Sequence, residues 1–186
     1  MVPVTSLLIP IAVSSVLVFI VSSIIHMVLP YHRNDFSRLA SEDDVMDALR
    51  RFKIPPGDYL MPAPGGAQAM SSPEFVAKRD KGPVAVMTVI KPGPPSLGPQ
   101  LALWFVYSLA VGLFAAYVTG VALPSGAPYR AVFRIAGTVA FAGYALALPQ
   151  TSIWYGRSWS ATLKSMFDGL IYALLTAGTL GWLWPR

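Results

Sequence analysis

The side chains that could do chemistry are few. One acid, Asp168, lies inside a long apolar stretch, one helical turn beyond Lys164. A carboxyl group there is costly, and where it is kept it often handles ions or protons. A rise of 1.5 Å per residue from Ser160 or Lys164 puts it roughly 6–12 Å inside the helix end. At so shallow a depth a structural ion pair is the simpler expectation, with Lys164 as partner and Arg157 as the second choice. His26 and His32 are the only histidines, and Asp35 follows them closely. Imidazole and carboxylate together suit a divalent metal. Pro30 stands between the two histidines, however, and a proline interrupts a helix. Their spacing matches no established ligand pattern, so neither a metal nor any other cofactor is assigned. A haem held by two histidines needs one on a facing helix, and the other apolar stretches have none. Arg130 and Arg134, four residues apart, are expected to reach for lipid phosphates. No cysteine is present, which excludes disulfides, thiol catalysis and cysteine-held iron–sulfur clusters.

The elements that must position these groups are four apolar stretches. They run from about 7 to 29, 101 to 123, 132 to 148 and 163 to 184. Most approach the roughly 20 residues that a helix needs to cross a bilayer core. The 186 residues are 54% hydrophobic and 12% charged, about half the charge of an ordinary soluble domain. The expected class is therefore an all-α integral membrane protein with four transmembrane helices. Residues 1–30 form an anchor helix, 31–98 a partly ordered extramembrane segment, and 99–186 the other three helices. The first stretch lacks a basic leader and a small-residue cleavage site, so it reads as an uncleaved anchor.

Basic residues set the orientation. Arg33, Arg38, Arg50, Arg51, Lys53, Lys78, Arg79, Lys81 and Lys91 fall between the first two stretches, and Arg157 and Lys164 join them on that side. Only Arg130, Arg134 and Arg186 face the other side. Eleven against three places the 31–98 segment in the cytoplasm and both termini outside it. The formal charge of +5 suits anionic headgroups. The basic residues are scattered without an aromatic platform, which argues against nucleic acid. Tyr31, Trp154, Tyr155, Trp159, Trp182 and Trp184 lie near the stretch ends, as an interfacial aromatic belt would.

Within 31–98, Ser41 with Asp44 three residues on predicts a capped helix whose apolar stripe is Val45, Met46, Leu49 and Phe52. A second helix is expected from Ser72-Pro73-Glu74 to about Gly82. Residues 84–90 read as a strand whose only nearby partner is the weak candidate Tyr59-Leu60-Met61. Inside the membrane, Ser108, Gly112, Ala116 and Gly120 repeat every four residues, as do Ser165, Gly169, Ala173, Ala177 and Gly181. Small residues at this spacing let helix backbones approach closely. The spacing is equally compatible with the two stripes meeting each other and with their meeting another subunit.

The run Leu29-Pro30-Tyr31-His32-Arg33-Asn34-Asp35-Phe36 and the later Gly169-Leu170-Ile171-Tyr172-Ala173-Leu174-Leu175-Thr176 resemble those of small bacterial inner-membrane proteins without a characterised activity. The resemblance implies a bacterial inner membrane and no particular reaction. Small multidrug transporters carry an acid in their first helix, and quinone-reducing thiol enzymes need cysteines; this chain has neither. The leading expectation is a non-enzymatic accessory or structural subunit that packs against itself or another membrane subunit. A small transporter or channel using Asp168 comes second. An enzyme with His32 and Asp35 or Asp168 at the cytoplasmic surface comes third.

Overall fold

Pro10 lies in the first turn of α1 (Leu8–Met27), where its missing N–H leaves no helix bond unmade. The chain of this computed structural model, described over residues 1–186, continues through α2 (Glu42–Arg50), β1 (Gly57–Met61), α3 (Pro73–Lys81), β2 (Ala85–Val89), α4 (Gly98–Ala122), α5 (Tyr129–Phe141), α6 (Pro149–Tyr155) and α7 (Trp159–Trp182). Two compact units result. One comprises Met1–Phe36 with Ser96–Arg186, the other Ser37–Pro95.

Three helical stretches of the first unit are long and apolar enough to cross a membrane: Val4–Met27, Gly98–Ala122 and Tyr129–Tyr155. The sequence led to four. α7 has 24 residues, but its Ser, Thr and Gly residues, with Lys164 and Asp168, leave it less apolar than the others. The third stretch is not a uniform helix. A wide π-turn over Ala142–Leu146 joins α5 to α6. After it, Pro149 has no N–H for the Ala145 carbonyl four residues back. That carbonyl accepts from Leu148 N instead, at 3.1 Å. Gly156, with φ of +68°, ends α6 in the left-handed conformation that glycine adopts freely.

α1 packs against α4 and α7, and α5 packs against the same two, so the four long elements close a ring. Small residues line its centre. Ala115, Ala116, Ala136, Ala140, Ala173 and Ala177 are all buried. The α4 stripe turns to α1 and the residues before it. A methyl group on Gly112 would meet Ile11, Ser14 and Ser15, and one on Gly120 would run into the Val2 carbonyl. Ser108 and Ala116 are buried on the same helix. The α7 stripe turns to α5 and the π-turn: Gly169 abuts Ala145 and Tyr144, Ala177 lies opposite Gly137, and Gly181 lies against the Tyr129 ring. Each stripe is thus occupied within the chain. Trp184 departs from the belt expected of it. It is buried, and its indole N–H donates to the Pro124 carbonyl at 3.0 Å. Trp154, Tyr155, Trp159 and Trp182 are exposed.

In the second unit, Ser41 does not cap α2. Its backbone is left-handed, with φ of 54° and ψ of 47°, and its hydroxyl makes no capping bond. An N-cap side chain reaches the first-turn N–H groups from an extended backbone, which Ser41 lacks. The stripe Val45, Met46, Leu49 and Phe52 is exposed. α3 does start as its sequence implies. Ser72 Oγ accepts from Phe75 N at 3.2 Å, Pro73 follows as the first helical residue, and Gly82 closes the helix. β1 and β2, with α3 between them in the chain, form a two-stranded antiparallel sheet with Gly57 opposite Val89 and Met61 opposite Ala85. The strand without a firm partner in the sequence therefore pairs inside its own unit. Thr88 Oγ1 donates to Asp58 Oδ1 across the pair at 2.6 Å.

Candidate functional site

α1 ends where Pro30 removes the next helical N–H. The chain then makes a single tight turn, Pro30–His32, closed by Arg33 N on the Pro30 carbonyl at 3.0 Å. This turn folds His32 back over the last turn of α1. The rings of His26 and His32 stack with centroids 4.6 Å apart and planes 9° apart. Pro30, which seemed to separate the two histidines, is what brings them together.

α7 supplies the acid between them. Asp168 is 2% exposed. His32 Nε2 lies 2.8 Å from its Oδ2, and His26 Nε2 lies 4.0 Å from the same oxygen. The Tyr31 hydroxyl donates to Oδ1. Burial and the facing Asp168 carboxylate push the Tyr31 phenol above its ordinary value, so it stays protonated as a donor. Behind His32, Asp35 Oδ2 accepts from Nδ1 at 2.6 Å.

Lys164 does not pair with Asp168. Its ammonium donates to Asp35 Oδ1 at 2.8 Å and to the Tyr31 carbonyl at 2.7 Å. The reason is reach: the turn after α1 sets Asp35 and a free carbonyl beside Lys164, while Tyr31 and His32 already fill the Asp168 oxygens. Burial raises the Asp35 pKa, but the bonds from His32 and Lys164 outweigh it and hold the carboxyl below its ordinary value. Arg157 makes no ion pair, and Arg130 and Arg134 are exposed on α5, outside this group. Of the candidate polar residues, the fold gathers Asp168, Lys164, His26, His32 and Asp35, and leaves Arg134 apart.

The centre borders a cavity of about 390 Å³. His26 and Asp168 line one end of it, and Trp104, Tyr144 and Tyr172 form an aromatic wall. The Trp104 and Tyr144 ring centroids lie 5.7 and 5.6 Å from that of Tyr172. Trp104 is fixed by its indole N–H on Ser22 Oγ at 2.8 Å. Tyr144 stands on the π-turn, and Tyr107 donates to the Gly143 carbonyl beside it at 2.5 Å. Ser165, one of the small residues of α7, also lines the cavity. The Tyr172 hydroxyl is buried with no hydrogen-bond partner in the protein. An unpaired buried hydroxyl costs about 1–3 kcal/mol.

Tyr31, Trp104, Tyr144 and Tyr172 were not among the residues that the sequence singled out. Tyr31 reads only as an interfacial ring, and Tyr172 enters only through the run Gly169–Thr176. The usable signal was Tyr172, whose hydroxyl lies in mid-helix where some partner is demanded. Compared with known proteins, the chain matches no family model, no curated protein and no solved structure.

Proposed function

We propose that the chain is a four-span membrane protein that holds a small lipophilic molecule in its aromatic cavity. The polar end of that molecule meets the histidine–carboxylate centre, as in a membrane enzyme. One observation carries the reading: a fully buried acid, flanked by two imidazoles, borders a cavity walled by three aromatic rings. Its volume lies within the roughly 300–1,000 Å³ typical of small-molecule sites.

Treating α7 as the fourth span is supported by its two faces. Leu163, Phe167, Leu170 and Leu174 are exposed at helical spacing, as a lipid face requires, while Thr162, Asp168, Thr176 and Thr179 are buried. Polar residues in membrane helices face the bundle interior. The excess of basic residues on the side of 31–98 supports a cytoplasmic placement in a bacterial inner membrane, with the site at that surface. Beyond the cavity the helices meet at Ala115, Ala140, Ala173 and Ala177, all buried. That closure favours a site worked from one side over a carrier.

A second reading, the accessory subunit, has its own support. The bonds of Tyr31, His32 and Lys164 tie the turn after α1 to α7, and such a clip needs no ligand. Native mass spectrometry of the protein released from mild detergent separates the two. A retained molecule of a few hundred daltons, lost from Trp104→Ala, is expected. Retention of a stoichiometric membrane subunit with an empty cavity would favour the accessory role.

A further inference from the structure

The geometry points to a binding site for a divalent first-row transition metal at His26 Nε2, His32 Nε2 and Asp168 Oδ2, a site that supplies the chemistry at the polar end of the cavity. It rests on the reading that this end of the bundle is a working site.

His26 Nδ1 lies 3.0 Å from the Ser22 carbonyl, which only accepts, so Nδ1 carries the hydrogen. His32 Nδ1 faces the Asp35 carboxylate at 2.6 Å, and Lys164 holds that carboxylate from its other oxygen. Both rings are therefore fixed with Nδ1–H turned outward. In neutral rings both Nε2 atoms present lone pairs; that of His32 meets Asp168 Oδ2 at 2.8 Å, and that of His26 lies 4.0 Å from the same oxygen. Three electron-pair donors gathered within 4.8 Å of one another repel unless a cation stands among them. A proton on His32 Nε2 satisfies that nitrogen and the carboxylate but leaves His26 unused. A metal ion satisfies all three.

The surroundings are those that metal ligands need. A ligating histidine ordinarily donates its second N–H to a carboxylate or a backbone carbonyl, and a ligating carboxylate is itself hydrogen-bonded. Asp35 backs His32, the Ser22 carbonyl backs His26, and the Tyr31 hydroxyl backs Asp168. The three donor atoms lie within 4.8 Å of one another. Around a tetrahedral ion with bonds of about 2.0–2.1 Å the donors stand roughly 3.3 Å apart. The contraction falls to His26, whose side chain is 53% exposed and free to move. Its ring also has to swing out of the stack with His32, because lone pairs in parallel planes do not converge on one ion. Two imidazoles and one carboxylate suit Zn²⁺, Fe²⁺ or Co²⁺, and three protein ligands leave a coordination position for substrate or water. His26 and Asp168 both line the cavity, so that position opens to its contents.

The test uses the full chain in mild detergent, stripped with a chelator and titrated with Zn²⁺ and, separately, Co²⁺. One ion per chain is expected, with Co²⁺ absorption typical of nitrogen and oxygen ligands. His32→Ala and Asp168→Asn should abolish stoichiometric binding. Asp35→Asn, which touches only the back of His32, should weaken it about 10–100-fold. His26→Ala, at an exposed position where folding is not at stake, should weaken it at least as much, while Arg134→Ala leaves it unchanged. No one-to-one binding, or binding as tight in His26→Ala as in the parent, overturns the assignment and leaves a shared proton only. A bound metal beside an empty cavity would remove the small-molecule reading and keep the metal. A retained cavity molecule in a protein that takes up no metal would do the reverse.

Discussion

Asp35 and Asp168 are both carboxylates on one histidine, yet they do different jobs. Asp35 is anchored by Lys164, whereas Asp168 is held by the Tyr31 hydroxyl and His32 and has no fixed cation of its own. Removing Lys164 therefore strands Asp35, not Asp168. Lys164→Met and Asp35→Asn should be coupled in a double-mutant cycle of thermal unfolding in detergent, by about 0.5–3 kcal/mol. The lower part of that range is expected, because Lys164 is partly exposed and water screens the pair. Lys164→Met combined with Arg134→Ala should be additive. At Asp168 itself, Asn keeps an acceptor for Tyr31 and offers an N–H to His32, so Asp168→Asn should lower stability by only about 1 kcal/mol. Asp168→Leu leaves the Tyr31 hydroxyl and His32 Nε2 without partners in a buried place, and should cost several times more. Equal losses for the two variants would mean that these hydrogen bonds contribute little.

Helix contacts discriminate between glycines that look alike in the sequence. A methyl group at Gly169 would sit 2.9 Å from the Ala145 Cβ and 3.0 Å from the Tyr144 carbonyl, so α7 and the π-turn would have to part. At Gly112 the nearest atoms are 3.5 Å away, an ordinary contact. Gly169→Ala should thus destabilise by about 1–3 kcal/mol. Gly112→Ala should be neutral or stabilising by up to about 1 kcal/mol, since alanine is the better helix former. Unfolding temperatures of the two variants check this. The four-residue spacing revealed that both helices had a close-contact side. It did not reveal the partner, because what a stripe faces depends on the order of helices around the ring. Ser41 shows the same limit from the other direction: its sequence has a capping pattern, but the turn before α2 imposes a left-handed backbone that no local pattern encodes. The π-turn that carries Tyr144 into a cavity wall has no such local pattern either.

For the whole molecule, the expected orientation can be measured without interference from native cysteines. In intact cells Ala67→Cys should be shielded from an impermeant thiol reagent and Ser125→Cys should be labelled. The opposite pattern would move the site to the outer surface. The polar members of that site were visible one by one as chemically capable residues, but their meeting was not. It depends on a turn of three residues after Pro30 and on α1 and α7 being neighbours, which nothing in either segment announces. That neighbourhood bears on how the protein is made. Both imidazoles come from the first long helix and the turn that follows it, and the acid comes from the fourth, with the Ser37–Pro95 unit and two further long elements synthesised between them. During translation, α1 and its Tyr31–His32 turn are in place well before Asp168 emerges. On the four-span reading, the least apolar helix enters the bilayer last, next to a phenol and an imidazole already waiting for its carboxylate. On that reading, the order of the genetic message spares the cell an unescorted charge in the lipid.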